Sequence, residues 1–376
     1  MTPKRLALIF AGLVLLLGAL VFGAGWYFSV RIEADVLRVK HEPERYEVEV
    51  IALEDDQVRL RFPAEEELGK QPETMGLKWP DGYARAGKTL DIDGTETLRE
   101  YERFEGVLAV GDRVRFDKFA FPGDPTRAHG IQFDEIRFAS PLGELTAWQM
   151  DGSGETWVIF VHGKGSNRRE ALRMLPVVDG AALTSLVITF RNDAGGPEDP
   201  SGYYWYGLTE WEDLEAAAQY ALDNGAERLV LVGYSMGGGI VVNFMYQSPL
   251  AGQVVGMILD SPMLDLSATV DLGAQNLNLP PFLTAIAKTI SGLRFDIDWE
   301  ALDYLNRVDE LTAPVLLFHG DADETLPVST SEIFAERRPD IVTYEFFKGA
   351  PHVGAWNVDP ERYEAAVREF LDRVAR

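Results

Sequence analysis

The spacing of apolar residues changes character twice along this chain. Residues 6–30, LALIFAGLVLLLGALVFGAGWYFSV, hold no charge. About 22 helical residues rise roughly 33 Å, enough to cross the hydrocarbon core of a bilayer. Trp26 and Tyr27 fall where an interfacial aromatic belt would stand. The pattern predicts a single transmembrane anchor over residues 1–30. A cleaved signal peptide is the competing reading, with Gly23-Ala24-Gly25 as its small-x-small site. Lys4 and Arg5 precede the run, while Arg31, Arg38, Lys40 and Arg45 come after it, so positive charge alone leaves the orientation open. A short basic leader ahead of an apolar run favours export of the domain behind it. The expectation is therefore a single-pass membrane protein whose remaining chain lies outside the cytoplasm.

From Glu33 to about Ala128 the period is two. YEVEVIAL sets Tyr46, Val48 and Val50 on one face, and QVRLRF does the same with Val58, Leu60 and Phe62. DRVRF and KFAF come after Gly111 as further strand-like runs, and DDQ, DGY, DIDG and VGD mark turns between runs. Residues 31–128 thus read as a small β-rich domain. They carry no catalytic motif, so a structural spacer or an interaction module is expected there.

Near Gly130 the rhythm changes again. IQFDEIRF and GELTAWQM read as a hairpin. ETWVIFVHG is a nearly continuous apolar strand, as expected for a strand buried on both faces of a parallel sheet. SLVITF, RLVLVG, VVGMILD and PVLLFHG repeat that pattern, with helical stretches such as TEWEDLEAAAQYALDNG between them and ERYEAAVREFLDRVA at the end. Alternating buried strands and helices predict an α/β, doubly wound, mostly parallel sheet over residues 129–376.

Composition narrows the chemistry. The chain has 376 residues, a formal net charge of −25 and no cysteine. A surface this acidic repels phosphate backbones, so no nucleic-acid partner is expected. The absence of cysteine excludes disulfides, thiolate zinc sites and a cysteine nucleophile.

The stretch LVLVGYSMGGGIVV carries the candidate chemistry. Gly233-Tyr234-Ser235-Met236-Gly237 fits G-x-S-x-G between an apolar strand and an apolar helix, a context that lifts a serine hydroxyl out of the sheet. A glycine-rich turn that merely packs closely is the plain alternative. Serine needs a base, and the base needs an orienting acid. Of the five histidines, His41 belongs to the β-rich region, His129 lies at the boundary, and His162 and His319 end strands. His352, in FFKGAPHVGAW, lies beyond the last short strand and is the candidate base. LLFHGDADETLP offers Asp321 and Asp323 as the acid, which gives the chain order serine, acid, histidine.

FVHGKGSNR, VGYSMGGG, HGDADETLP and GAPH, in this order and spacing, resemble the α/β-hydrolase superfamily across residues 130–376. The nearest likeness is to bacterial esterases and serine-aminopeptidase-like enzymes. The pattern H-G-x-x-D-x-x-V-P, here with Leu326 for Val, selects Asp323 over Asp321. The resemblance places the oxyanion donors at the backbone N–H groups of Met236 and Lys164. It implies a serine hydrolase cleaving carboxylic esters, with a small-molecule ester or acyl substrate and no cofactor or metal. Amide or thioester cleavage would use the same groups, and a non-catalytic module on a hydrolase scaffold is the alternative of a different class.

Several features depart from the pattern or remain double-edged. His162 reads as a structural histidine bracing its loop, and Arg168 and Arg169 as a solvated helix start or an anion-binding pair. Arg191-Asn192-Asp193 stands where relatives carry Arg-Gly, and residues 203–206 are four aromatics that could line a pocket or pack the loop down. Asp213 is expected in a first helical turn. Residues 262–311 are long for a connection and could form a cap, with Leu277, Leu279 and the run 282–290 roofing an apolar pocket, or a pair of packing helices.

Overall fold

The computed structural model describes residues 2–40, 43–64 and 71–375, so His41 lies outside the described residues. Helix α1 (Pro3–Ile32) opens with proline in its first turn, where the missing N–H costs nothing. Its apolar side chains stay exposed up to Phe22, and burial begins at Gly25, Ser29 and Ile32. The chain then continues as a π-helical stretch, Glu33–Leu37. The strand pattern expected from Glu33 thus starts only at Val48. Tertiary contacts override the local alternation here: Leu37 is fully buried, and Glu33 accepts hydrogen bonds from Arg38 and Tyr203.

Strands β1 (Val48–Leu53), β2 (Gln57–Arg61), β3 (Met75–Trp79), β4 (Gly82–Asp93), β5 (Glu96–Glu105) and β6 (Arg113–Asp117) close into an antiparallel barrel in the order β1-β2-β5-β4-β3-β6. Closure leaves no open edge. Val48, Val50, Val58, Leu60, Leu77, Ala84 and Val114 fill its core. KFAF, expected as a strand, is instead a turn beyond β6. Its Ala120 and Phe121 pack into a core of the sheet unit with Trp148 and Trp356, because burial against the neighbouring unit outweighs strand pairing. Helix α2 (Pro125–His129) comes next, capped by Asp124 at one end and by left-handed Gly130 at the other.

The second unit is an eight-stranded sheet in the order β14-β13-β12-β11-β9-β10-β8-β7. The hairpin β7 (Asp134–Ser140) and β8 (Gly143–Met150) forms one antiparallel edge, and the other strands run parallel. Those strands are β9 (Thr156–Val161), β10 (Thr184–Ile188), β11 (Arg228–Tyr234), β12 (Val254–Asp260), β13 (Val315–Gly320) and β14 (Val342–Phe347). Every residue of β9 is buried: Trp157, Ile159 and Val161 enter one core, Val158 and Phe160 the other. That two-sided burial is why the strand reads as an unbroken apolar run.

The intervening helices are α3 (Leu175–Gly180), α4 (Trp211–Asp223), α5 (Met236–Gln247), α6 (Leu266–Asn276), α7 (Pro281–Phe295), α8 (Val328–Arg337), α9 (Ala355–Val358) and α10 (Pro360–Val374). Asp213 lies in the first turn of α4, fully buried, and takes the side chain of Arg191 at 2.7 Å. Helices α6 and α7 make the insertion between β12 and β13. Helix α7 packs against α1: Arg294 stacks 3.8 Å over the ring of Trp26 and donates to Ser29 Oγ at 2.6 Å.

Candidate active site

Ser235 sits between the end of β11 and the start of α5, with φ 53° and ψ −118°. Such a left-handed serine is strained and is held by its surroundings. Its N–H donates to Asp260 O at 3.0 Å, and its carbonyl accepts from Met263 N–H at 2.9 Å. The glycines of the motif make room for this turn. A Cβ on Gly237 would come 2.2 Å from Val161 O, and one on Gly233 would come 2.5 Å from Gly237 O. Neither position has space for any other residue.

Three of the side chains singled out from the sequence meet at this turn. His352 Nε2 lies 2.8 Å from Ser235 Oγ, and its Nδ1 lies 2.7 Å from Asp323 Oδ2. Asp321 faces elsewhere and accepts the N–H of Gly349 at 2.5 Å. The other oxygen of Asp323 accepts the N–H groups of Thr325 and Leu326, each at 2.8 Å. Burial pushes the Asp323 carboxyl up, but hydrogen bonds from His319 and His352 outweigh it and hold the group well below the usual carboxylate range. An ionised carboxylate only accepts, so both ring nitrogens facing Asp323 carry protons. In the neutral imidazole this leaves His352 Nε2 as the acceptor facing the Ser235 hydroxyl.

The loop after β9 approaches from the other side. Glu170, fully buried, accepts the N–H of Gly163 at 2.8 Å and pairs with Lys118 at 3.1 Å. Burial opposes its ionisation, but Lys118, Arg173 and that N–H bring its pKa down to about 2. His162 accordingly braces the loop, through Gly163 O at 2.9 Å and Asp193 at 2.8 Å. Arg169 does not meet this space; it reaches Asp117 and Phe121 O, both at 2.6 Å, and ties the barrel to the sheet unit. Arg168 lies over Trp148 at 4.5 Å.

Ser235 and His352 line a cavity of about 250 Å³ together with Gly163, Lys164, Tyr206 and Met263. Val36 and Asp35, just beyond the apolar helix, complete its wall, and Lys118 contributes from the barrel side. Tyr206 donates to Val36 O at 2.7 Å, and Lys164 Nζ donates to Asp35 O at 2.6 Å. Of the four aromatics at 203–206, then, Tyr206 faces the cavity, while Tyr203 braces Glu33.

The mixed eight-stranded sheet, with Ser235 on a turn at its carboxyl edge, belongs to a fold with known counterparts. The family model Hydrolase_4, serine aminopeptidase S33, matches residues 209–301. An esterase of Pyrococcus furiosus superposes with a TM-score of 0.54 at 24% identity, covering 68% of this chain and 95% of the esterase. In another crystal form of that esterase the values are 0.51 and 25%, with coverage of 65% and 90%. The chain has an α/β-hydrolase fold. It is also 25% identical over 228 residues to a multifunctional-autoprocessing repeats-in-toxin of Vibrio cholerae, 54% of this chain but only 5% of the toxin's length. It is 24% identical over 230 residues to an uncharacterized protein of Mycobacterium tuberculosis, covering 60% of this chain and 72% of that one.

Sequence reasoning passed over three residues of this site. His319 and Glu170 are buried supports, and their only signals were a His-Gly strand end and an acidic residue seven positions after Gly163. Lys118 reaches the site from another unit, which no local pattern announces.

Proposed function

We propose that this chain is a serine esterase, tethered to a membrane by residues 1–30, that cleaves carboxylic esters through an acyl-enzyme. The observation that carries the reading is the relay from Ser235 Oγ through His352 to Asp323, at 2.8 Å and 2.7 Å. Ser235 Oγ attacks the ester carbonyl carbon while His352 Nε2 takes its proton. Asp323 holds the imidazole in place and balances the imidazolium charge. The proton then passes from Nε2 to the alkoxide oxygen as the carbon–oxygen bond breaks and the alcohol leaves. Water, deprotonated by the same nitrogen, attacks the acyl carbon; the bond to Ser235 Oγ then breaks, the serine oxygen takes the proton back from Nε2, and the acid leaves. The backbone N–H of Met236, first in α5 and without an intrahelical acceptor, and that of Lys164 receive the charge on the carbonyl oxygen.

In this reading the chain divides into an anchor at 1–30, a barrel unit at 31–128 and a hydrolase unit at 129–376 with a cap at 262–311. The largely exposed, charge-free run of α1 from Leu6 to Ala24 supports the anchor. Because α7 packs on the last turns of α1, the cap stands next to the bilayer on the non-cytoplasmic side.

A fluorophosphonate probe tests the reading without knowledge of the substrate. The folded full-length chain should be labelled strongly and Ser235→Ala not at all, and p-nitrophenyl butyrate should be hydrolysed by the first only. A folded chain that neither labels nor turns over the ester would be a binding module. Turnover of aminoacyl anilides in place of esters would move the assignment to amide bonds.

A further inference from the structure

The wall that Asp35 and Val36 give to the active-site cavity has a second side. There, with Thr269, they close one end of a slot of about 180 Å³ between the last turns of α1 and the cap. The slot is lined by Phe28 and Ile32 from α1, Val270 and Ala274 from α6, Leu279 from the next turn and Ala287 from α7. Its polar residues are few: Arg31 pairs with Asp35 at 2.7 Å, and Thr269 and Thr284 also line it. At the outer rim Leu277 is 68% exposed, and Phe282, in the first turn of α7, is 59% exposed. The contact that shapes the slot is close: a side chain on Gly25 would strike Ile286 at 2.4 Å.

We infer that the slot receives the acyl chain of the ester, so that the substrates are long-chain acyl esters entering from the bilayer along α1. This rests on the serine-esterase reading and adds the substrate class to it. The carbonyl sits at Ser235, and the chain runs past Val36 and Thr269 into the space between Phe28, Ile32 and Leu279. The geometry favours this occupant for three reasons. The slot shares Asp35, Val36 and Thr269 as a wall with the cavity that holds Ser235. Its lining is almost wholly apolar, so a polar group would lose its hydrogen bonds there. One of its walls is the helix that emerges from the membrane, so a chain leaving the lipid can stay on apolar surface until its carbonyl reaches Ser235. An open slot of this kind in water would be an exposed apolar surface without purpose; beside a bilayer it is a continuation of the lipid.

Position 273 offers the test. Gly273 lines the slot, and a Cβ placed on it meets nothing within 4 Å, so the backbone there accepts a side chain and the helix gains from losing a glycine. The full-length chain is assayed on p-nitrophenyl butyrate and p-nitrophenyl laurate, beside Gly273→Trp, Gly273→Ala and Gly252→Trp, the last on an open surface turn away from the slot. Each methylene taken out of water is worth about fourfold in kcat/KM. The native chain should therefore prefer laurate by at least about tenfold, since butyrate leaves the slot empty. Gly273→Trp should lower the laurate-to-butyrate ratio by about tenfold or more, while Gly273→Ala and Gly252→Trp keep the native ratio. Should the tryptophan also depress butyrate turnover, Leu279→Glu, which sets a charge in the slot, must reproduce the fall in the ratio. A native chain that hydrolyses butyrate without preferring laurate, or a ratio untouched by Gly273→Trp and Leu279→Glu, overturns the inference and leaves the esterase intact. No turnover of either ester and no fluorophosphonate labelling removes the esterase reading, and this inference with it.

Discussion

His319 Nε2 lies 3.1 Å from Asp323 Oδ2, the same oxygen that receives His352 at 2.7 Å. His319 is fully buried at the end of β13, and its Nδ1 is fixed by the hydroxyl of Ser331 at 2.7 Å. Two imidazoles therefore converge on one carboxylate oxygen, while two backbone N–H groups occupy the other. This saturation lets Asp323 stay ionised although it is buried.

His319 should act as a positioning residue. Replacing it with Phe removes one hydrogen bond to a charged acceptor, worth about 1.5–3 kcal/mol, so kcat/KM should fall roughly 10- to 100-fold. The pH dependence distinguishes this from simple loss of packing. Asp323 has a depressed folded-state pKa, so it contributes stability that is present above its unfolded value and lost as pH falls through the folded one. His319→Phe should raise the folded value, so that acid unfolding begins at higher pH than in the native chain. His319→Gln, which can still donate, should recover part of both effects. An unchanged acid-unfolding midpoint would remove the role.

Glu170 should control the loop after β9. Its carboxylate fixes the N–H of Gly163, one residue before Lys164. Glu170→Ala should therefore lower kcat more than it raises KM, by about tenfold, because a displaced donor weakens the transition state more than the ground state. The isosteric Glu170→Gln should keep the bond to Gly163 and lose only the pairing with Lys118. Since its pKa is drawn down to about 2, the ionised group stabilises the fold above roughly pH 4.3 and loses that contribution as pH falls toward about 2. Thermal melts of the native chain and Glu170→Gln should converge across that window.

Legibility tracked how local each determinant is. Residues 6–30 and the buried strands announced themselves because one period governs each of them. Ser235 was readable because its strained turn forces glycine at 233 and 237, and Asp323 because it is spaced from a strand-ending His-Gly. Glu33–Leu37 was misread as the start of the strands, since its helical form depends on Arg38, Tyr203 and Tyr206, the tyrosines far along the chain. KFAF alternates like a strand, yet Phe121 is captured by Trp356 at a ring separation of 5.5 Å. The barrel's closure and the entry of Lys118 into the site are likewise long-range outcomes with no periodic signature.

Lys164 carries a second titration. Burial, then the nearby Lys40, pull its pKa down to about 8 against the attraction of Asp35. Between that value and roughly 10.4 the unfolded chain binds more protons than the folded one, so stability rises with pH through this window. Below about pH 8 the full cost of the charged ammonium is present. Lys164→Met should lack this rise, and the difference between the two melting curves should narrow as pH climbs. A native melting temperature that falls steadily from neutral pH upward, in parallel with the variant, would contradict the assignment.

Asn357, five residues beyond His352, joins Arg169 in mooring the barrel to the sheet unit. Its Nδ2 donates to Thr74 O at 2.7 Å and to Lys118 O at 2.9 Å, its Oδ1 accepts from Arg173 at 2.7 Å, and its own carbonyl accepts Thr74 N–H at 3.0 Å. The side chain is fully buried. Asn357→Leu keeps the approximate volume but strands two carbonyls, each costing about 1–3 kcal/mol when buried without a partner, and takes one of its two acceptors from Arg173 Nη1. The loss should therefore reach several kcal/mol and lower the melting temperature by at least about 5 °C. Activity should fall as well, for two reasons the structure makes separate. Arg173 also holds Val353 O at 2.7 Å, next to the base, and Lys118 is the partner of Glu170. A compensating test isolates the second route: Lys118→Met leaves Asn357 and Arg173 in place, because Asn357 meets only the backbone carbonyl of Lys118. Lys118→Met should then reproduce part of the fall in kcat with a smaller loss of thermal stability. Equal destabilisation by both substitutions would mean that the ion pair with Glu170, rather than Asn357, holds the two units together.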